Sequence, residues 1–164
     1  MSEIASMAGF LAAHGIWSVS EGATLVPMLG YEQTDGDRVI ERLMFDDVAD
    51  GARAGQAALA DGREGWVRAV LVTDAYLHLD RGRVDALIVD AVEYLPARWS
   101  MRMAVPYRPQ AASAGFAVYR PKFVETEGFD EPDYDALADA FFSGVDSHEQ
   151  AAAVWNAHLL DESV

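Results

Sequence analysis

The chain of 164 residues has no cysteine, one lysine and no apolar run long enough to cross a membrane. The absence of cysteine excludes disulfides, thiolate zinc sites and cysteine nucleophiles. The first basic residue is Arg38, so the amino-terminal stretch lacks the positive start of a secretory signal. We therefore expect a cytoplasmic protein in which residues 1–164 form a single domain that folds without disulfides or metal.

Charge is distributed unevenly along the chain, which has a formal net charge of -15. Residues 123–164 contain eleven acidic residues and no Lys or Arg, whereas residues 95–122 contain five basic residues and no acid. A protein that binds duplex nucleic acid or a membrane surface presents a net basic face, so neither partner is expected. The two regions could pair within one chain or within a dimer, and the acidic surface could also serve solubility alone.

Hydrophobic periodicity predicts an α+β fold, with a mostly antiparallel sheet of about six to seven strands and helices packed against it. The sheet combines a meander with a long central hairpin. Helices are predicted at residues 2–14, where Gly15 ends the helix, at 46–60, and twice near the end of the chain, where Ser147 and Gln150 have the spacing of a capping box. The predicted strands cover residues 16–20, 24–33, 38–45, the two arms of 66–94, 99–108 and 116–119.

The central hairpin, residues 66–94, is predicted to turn at Arg81 and Gly82. With this register one face is apolar almost throughout and should be the core face. Asp90, opposite Thr73, is the exception on that face. Because a buried carboxylate is costly, Asp90 needs hydrogen-bond partners, an arginine or a position at the sheet margin.

The opposite face of the hairpin carries the candidate catalytic residues. His78 is predicted to lie across from Asp85, with Asp74 nearby on the first arm. If the next strand continues the sheet, Arg108 lies opposite Asp85 and completes a row with His78. A carboxylate that orients an imidazole can raise its pKa, so His78 would act as a general base.

Arg108, Arg102 and Asp90 are the candidate ligand-binding residues, with Arg108 holding the anionic group of a small ligand. Arg102 and Arg108 are predicted to share a face with Asp85 and His78. The same pattern also fits an exposed ladder of cross-strand charges, which contributes little to stability and needs no ligand.

Two patterns in the sequence bear on metal-dependent chemistry. Asp74, His78 and Asp85 are ligand types that suit a divalent metal, but they lack the spacing of any specific metal site, so no metal and no cofactor is predicted. Two acids on one strand, Asp85 and Asp90, invite comparison with restriction-type nuclease cores. No lysine follows Asp90 at the expected place, and the acidic tail would repel DNA, so a nuclease is not expected.

Two classes of function remain. The first is a non-enzymatic binding or interaction protein, whose partner is another protein or a second copy in a homodimer. The element order and acidity resemble acidic secretion chaperones of the type III class, which are dimers of similar size, although the later strands and last helix depart from them. An acidic immunity or inhibitor protein that imitates nucleic-acid charge fits equally well. The alternative is a small-ligand binder or hydrolase-like enzyme that uses the row of His78, Asp85 and Arg108.

Overall fold

Four helices and a seven-stranded antiparallel sheet make up the computed structural model, which describes residues 1–164, and the predicted α+β class is confirmed. None of the helices combines the length and apolar content needed to span a bilayer. The helices are α1 (Ser2–Val19), α2 (Val48–Asp61), α3 (Tyr134–Ser147) and α4 (Glu149–His158). The strands are β1 (Met28–Gln33), β2 (Arg38–Arg42), β3 (Trp66–Leu79), β4 (Gly82–Glu93), β5 (Trp99–Arg108), β6 (Ala117–Val118) and β7 (Lys122–Glu127).

The strand order is β2-β1-β3-β4-β5, and both β6 and β7 pair with the far side of β5. The β7 strand covers the first half of β5 and β6 covers its end. Pro106 lies on β5 between these two pairings, where its missing N–H breaks no ladder. Sequence reasoning missed β7, because it follows Pro121 and half of its six residues are charged.

The sheet separates two cores of unequal size. On one side, called the three-helix side, α1, α3 and α4 cover a core of 28 buried residues that includes Val72 and Leu87. On the other side, called the α2 side, α2 packs over β3 above a cluster of six buried residues that includes Leu71 and Val92. The predicted core face of the hairpin is therefore on the side of the smaller cluster, and the opposite face, which carries the candidate catalytic residues, faces the larger core. Both faces of β3 are buried between Trp66 and Thr73, so alternation cannot identify the core face there.

The central hairpin is confirmed, but its turn lies one residue earlier than predicted. Asp80 and Arg81 form the loop, and Leu79 pairs with Gly82. The glycine follows the loop with a φ of 118°, in the region that favours glycine. Every facing pair shifts by two residues, which leaves each side chain on its predicted face of the hairpin but changes its neighbours.

The first helix extends further than the sequence indicated. The predicted helix end at Gly15 and the predicted strand at residues 16–20 are wrong, because α1 continues to Val19. A Cβ at position 15 would lie 2.7 Å from Leu87 Cδ1 and 3.3 Å from Val72 Cγ1. Gly15 therefore allows α1 to approach the sheet closely, and the predicted three-stranded meander consists of β1 and β2 alone.

The last two helices form as predicted, but their junction differs. His148 is the N-cap of α4, and its Nδ1 accepts a hydrogen bond from the Ala151 amide at 3.3 Å. Ser147 Oγ instead donates to the Gly144 carbonyl at 2.6 Å. The predicted capping box at Ser147 and Gln150 is therefore wrong. The earlier helix α2 begins as expected, with the Asp47 side chain accepting from the Ala49 amide at 2.8 Å.

Candidate functional site

The predicted row of His78, Asp85 and Arg108 does not assemble, because β4 and β5 pair one residue away from the predicted register. Asp85 lies opposite Tyr107. An offset of one residue moves every β5 side chain to the other face relative to β4. The predicted register places the apolar side chains of β5 beside Asp90, on the face expected to be the core.

Arg108 consequently lies on the α2 side of the sheet, whereas Asp85 lies on the three-helix side. The Arg108 guanidinium is occupied by the following loop. Its Nε donates to the Gly115 carbonyl at 2.7 Å and its Nη2 donates to the Ala114 carbonyl at 3.2 Å. Arg108 thus fixes the loop between β5 and β6.

His78 lies exposed near the hairpin turn, opposite Arg83 and not opposite Asp85. Asp85 pairs with Tyr76 instead. No hydrogen bond holds the His78 ring, so the predicted arrangement, in which the Asp85 carboxylate orients the imidazole, is not present. The catalytic roles of His78, Asp85 and Asp74 stay predictions, and the structure supplies no shared geometry for them.

Asp74 is linked to Tyr107 across the intervening strand β4. The Tyr107 hydroxyl donates to both carboxylate oxygens of Asp74, at 2.9 and 3.0 Å. Burial raises the pKa of Asp74; the hydrogen bond from Tyr107 opposes this rise, and the nearby Asp85 carboxylate adds to it. Burial, followed by the charge of Asp74, also raises the pKa of Tyr107 well above its ordinary value. This phenol keeps its proton and serves as a structural donor between β3 and β5.

Asp90 and Arg102, two of the three predicted ligand-binding residues, meet on the α2 side. Arg102 Nε donates to Asp90 Oδ1 at 2.6 Å, and Gln56 Nε2 on α2 donates to Asp90 Oδ2 at 3.2 Å. Only 7% of Asp90 is exposed, so this ion pair and amide satisfy the buried carboxylate as the sequence required. The hydrogen bond to Asp90 raises the pKa of Arg102, and 40% of the Arg102 side chain remains exposed.

The Asp90–Arg102 pair forms part of the floor of a cleft of about 210 Å³ between α2 and β7. In the register of β5 and β7, Glu125 lies opposite Arg102 and Glu127 lies opposite Ser100. This register places both glutamates on the wall opposite α2. Three carboxylates and one guanidinium line the cleft, so its net charge is negative. Sequence reasoning missed the glutamates because it missed β7. The lining residues are Gln56, Leu59, Ala60, Asp90, Ala91, Val92, Ser100, Met101, Arg102, Glu125 and Glu127.

Sequence reasoning also missed a buried ion network around Arg68, on the three-helix side of β3. The guanidinium donates to Glu93 from Nη2 at 2.9 Å, to Glu32 from Nη1 at 2.8 Å and to Glu3 from Nη2 at 2.9 Å. Hydrogen bonding to Glu93 raises the pKa of Arg68 further above its ordinary value, although burial opposes it. Arg68 lies directly opposite Glu93 only in the observed hairpin register. The predicted register does not place the two residues opposite each other.

A histidine pair joins the two ends of the chain. His14 Nδ1 lies 2.9 Å from His148 Nε2, and the ring of Phe10 lies 4.7 Å from that of His148. Burial lowers the pKa of His14, and the nearby His148 and Arg42 lower it further. Because His148 Nδ1 already caps α4, the pair fits a packing role between α1 and α4.

Comparisons with protein-family models, with curated proteins and with solved structures gave no significant match.

Proposed function

We propose that the protein is a non-enzymatic interaction protein that binds a basic protein partner on the α2 side of its sheet. The observation that carries this proposal is the cleft between α2 and β7, where Glu125 and Glu127 face the Asp90–Arg102 pair. Both glutamates are exposed, and neither forms an ion pair within the chain. Glu127 is therefore free to meet a cation from outside, and Glu125 can contribute a second carboxylate although its charge also acts on Arg102.

The size of the cleft favours a side chain over a metabolite. Its volume is about 210 Å³. Sites for small molecules commonly occupy roughly 300–1,000 Å³ and enclose most of the ligand. A smaller, open cleft with a negative rim suits the end of a lysine or arginine that projects from a larger partner.

The sheet beside the cleft offers an apolar surface for the remainder of such a partner. The α2 helix packs on this side over β3, and the side chains beyond it, including Ala75, Leu77 and Ile88, are only half buried. Apolar area bordered by charged residues is the usual arrangement of a protein interface. The cleft and this open part of the sheet together form the proposed docking surface.

Long-range charge favours a basic partner over the other candidates. A net charge of -15 attracts a cationic protein and accelerates its association. The same charge repels a second copy of the chain, which makes a homodimer the less favoured partner. It also opposes a small anionic ligand at the cleft, where three carboxylates surround one arginine. The separation of Arg108 from Asp85 and His78 supports a non-enzymatic role.

The proposal is tested with a fluorescent peptide of alternating arginine and leucine, and with a matched peptide in which glutamine replaces arginine. We expect the arginine peptide to bind and the glutamine peptide not to bind in anisotropy titrations. The double variant Glu125→Gln and Glu127→Gln should weaken binding by about tenfold, which corresponds to about 1.4 kcal/mol. Binding should also weaken as salt screens the charges.

The matched control is Asp130→Asn with Glu131→Gln, which removes the same charge from the same acidic segment outside the cleft. This control should retain most of the affinity. Equal weakening by both double variants would show attraction by net charge alone and would reject the cleft as the site. A dimer in light scattering with no peptide binding would favour self-association instead.

A further inference from the structure

Strand β2 is the outermost strand at its end of the sheet, and its pairing with β1 shows which backbone groups are free. At one end of the ladder Leu43 N donates to the Pro27 carbonyl at 2.8 Å. At the other end Gln33 N donates to the Asp37 carbonyl at 2.9 Å. Hydrogen-bonded pairs alternate along an antiparallel ladder, so every second residue of β2 points its backbone groups away from β1.

The residues that point outward are Arg38, Ile40 and Arg42, while Val39 and Glu41 bond to β1. The three outward N–H groups have no partner. The carbonyls of Arg38 and Ile40 are also free, whereas that of Arg42 accepts from the next turn. A free row of alternating donors and acceptors can pair with another extended chain.

The side chains of the same three residues lie on the three-helix side, beside an apolar groove. This groove, of about 240 Å³, lies between α1 and β2 and is lined mainly by Met7, Phe10, Leu11 and Ile40. Ile40 remains 48% exposed. The missing side chain at its β1 neighbour Gly30 leaves room for Leu11, because a Cβ there would overlap Leu11 Cδ1. The groove therefore lies beside the residue whose backbone is free.

Two arginines flank the groove within a strongly acidic chain. Arg38 forms an ion pair with Glu32 at 2.7 Å, but 61% of its side chain is exposed. Arg42 is exposed, forms no ion pair and lies near His14. Because residues two apart on a strand share a face, the edge presents a row of arginine, isoleucine and arginine. The complement of this row is a strand with acidic residues on either side of an apolar one.

We propose that the edge of β2 binds an extended segment of a partner polypeptide with the pattern acidic–x–apolar–x–acidic. The segment pairs with β2 as an additional strand. Its apolar residue lies opposite Ile40 and enters the groove beside Phe10 and Leu11. Its two acidic residues lie beside Arg38 and Arg42. Backbone pairing gives the segment its register, and the groove and arginines select its sequence.

This inference is independent of the proposed function. It uses the opposite end of the sheet from the cleft and a ligand of the opposite charge. Substitutions at Glu125 and Glu127 should leave it unaffected, so failure of either proposal is recognised separately.

The first test is amide hydrogen exchange with a synthetic peptide whose core is glutamate, threonine, leucine, threonine and glutamate. In the free protein the amides of Arg38, Ile40 and Arg42 should exchange rapidly, whereas those of Val39 and Glu41 should be protected. Saturating peptide should slow exchange at the three outward amides at least tenfold and leave the other two unchanged. Absence of this alternating protection at millimolar peptide would overturn the proposal.

The second test removes one backbone hydrogen bond from either partner. Ile40→Pro deletes an outward N–H, which an edge strand tolerates, while Ile40→Ala keeps that N–H as the matched control. Thermal unfolding of both variants verifies that they fold. We expect the proline variant to lose binding and the alanine variant to keep part of it. A peptide N-methylated at its leucine should also fail, because it loses the N–H that donates to the Ile40 carbonyl, the other hydrogen bond of the same pair.

The third test concerns the charges. A peptide with arginine in place of both glutamates should not bind, and Arg38→Glu with Arg42→Glu should reverse the preference. Equal binding of the acidic and basic peptides would overturn the assigned sequence pattern. Equal affinities of the alanine and proline variants would overturn the strand pairing.

Discussion

Arg68 lies on β3 beneath the start of α1, where its guanidinium is shared by three carboxylates. The Arg68 side chain is 8% exposed, and those of Glu93 and Glu32 are 7% and 15% exposed. Removal of one charge from such a group leaves the others buried without compensation, which costs more than the intact group contributes. Arg68 therefore compensates the charges of Glu32 and Glu93, which would otherwise be too costly to bury.

We predict that Arg68→Ala lowers the free energy of unfolding by about 3–5 kcal/mol, the usual cost of breaking a buried ion pair. Urea unfolding followed by circular dichroism measures the change. The control is Arg120→Ala, which removes an exposed pair with Asp161 and should cost at most about 1 kcal/mol. A cost for Arg68→Ala as small as that of Arg120→Ala would show that water reaches the glutamates and that the network is not buried in solution.

From the sequence, it was easier to predict that a buried charged residue requires a polar partner than to predict which residue supplies it. The buried position of Asp90 correctly predicted that it would require a charged or hydrogen-bonding neighbour. Its partners, Arg102 and Gln56, depended on the register of β5 and on the path of α2, which the local sequence does not contain. The network of Arg68 was missed for the same reason, because a shift of two residues in the hairpin separates it from Glu93.

At the scale of elements, the sequence predicted the hairpin, β5, α2 and the two last helices, but it placed several boundaries incorrectly. The error at Gly15 is instructive, because glycine ends helices often enough to be used as a stop signal. In this chain the tertiary contact with Val72 and Leu87 explains the glycine instead. A close approach between a helix and a sheet has no signature in a single sequence.

The crossing of α1 and α3 makes a testable case of close approach. A Cβ at Gly144 would overlap the backbone carbonyl oxygen of Ser6, and a Cβ at Gly9 would overlap that of Phe141. We predict that Gly144→Ala lowers the free energy of unfolding by about 2 kcal/mol or more, because the helix backbones must separate. Thermal and urea unfolding measure the effect.

The matched control is Gly55→Ala in α2, where the added Cβ would lie 2.5 Å from Leu71 Cδ1 and 2.8 Å from Leu43 Cδ1. These are ends of flexible side chains, and the gain in helix propensity, about 1 kcal/mol, offsets their displacement. Gly55→Ala should therefore remain within about 1 kcal/mol of the original protein. If both alanine variants had the same stability, the backbones of α1 and α3 could not be as close as the predicted overlap requires.

At the scale of the whole molecule, charge and fold follow different rules. The α+β class was predictable because hydrophobic periodicity acts over whole elements and survives errors of one or two residues. The candidate sites were not, because a site depends on which side chains share a face, and an offset of one residue between β4 and β5 reverses that. The excess of acidic residues is evident from the sequence. The position of two of them at an open cleft depends on the pairing of β7 with β5.

At His14, one half of the histidine pair, the local surroundings and the net charge of the molecule have opposite effects on the pKa. A net charge of -15 favours protonation of any histidine, but burial and the neighbouring His148 and Arg42 lower the pKa of His14 from its ordinary value of 6.5, so the local effect prevails. Below pH 6.5 the unfolded chain then binds a proton that the folded protein does not, and stability falls as the pH decreases through the lowered pKa. The raised pKa of Asp74 acts in the opposite direction, since protonation of Asp74 favours the folded state.

We predict that the free energy of unfolding is lower at about pH 5.5 than at about pH 7.5, and that this difference shrinks in the double variant His14→Gln and His148→Asn. Asparagine at position 148 can still accept the hydrogen bond from Ala151, so α4 keeps its N-cap, while glutamine at position 14 removes the imidazole whose pKa is lowered. His158→Gln, at an exposed position, is the control and should keep the original pH dependence. Urea unfolding of the three proteins at both pH values measures the difference. An unchanged pH dependence in the double variant would mean that groups other than this pair, which joins α1 to α4, control the response to acid.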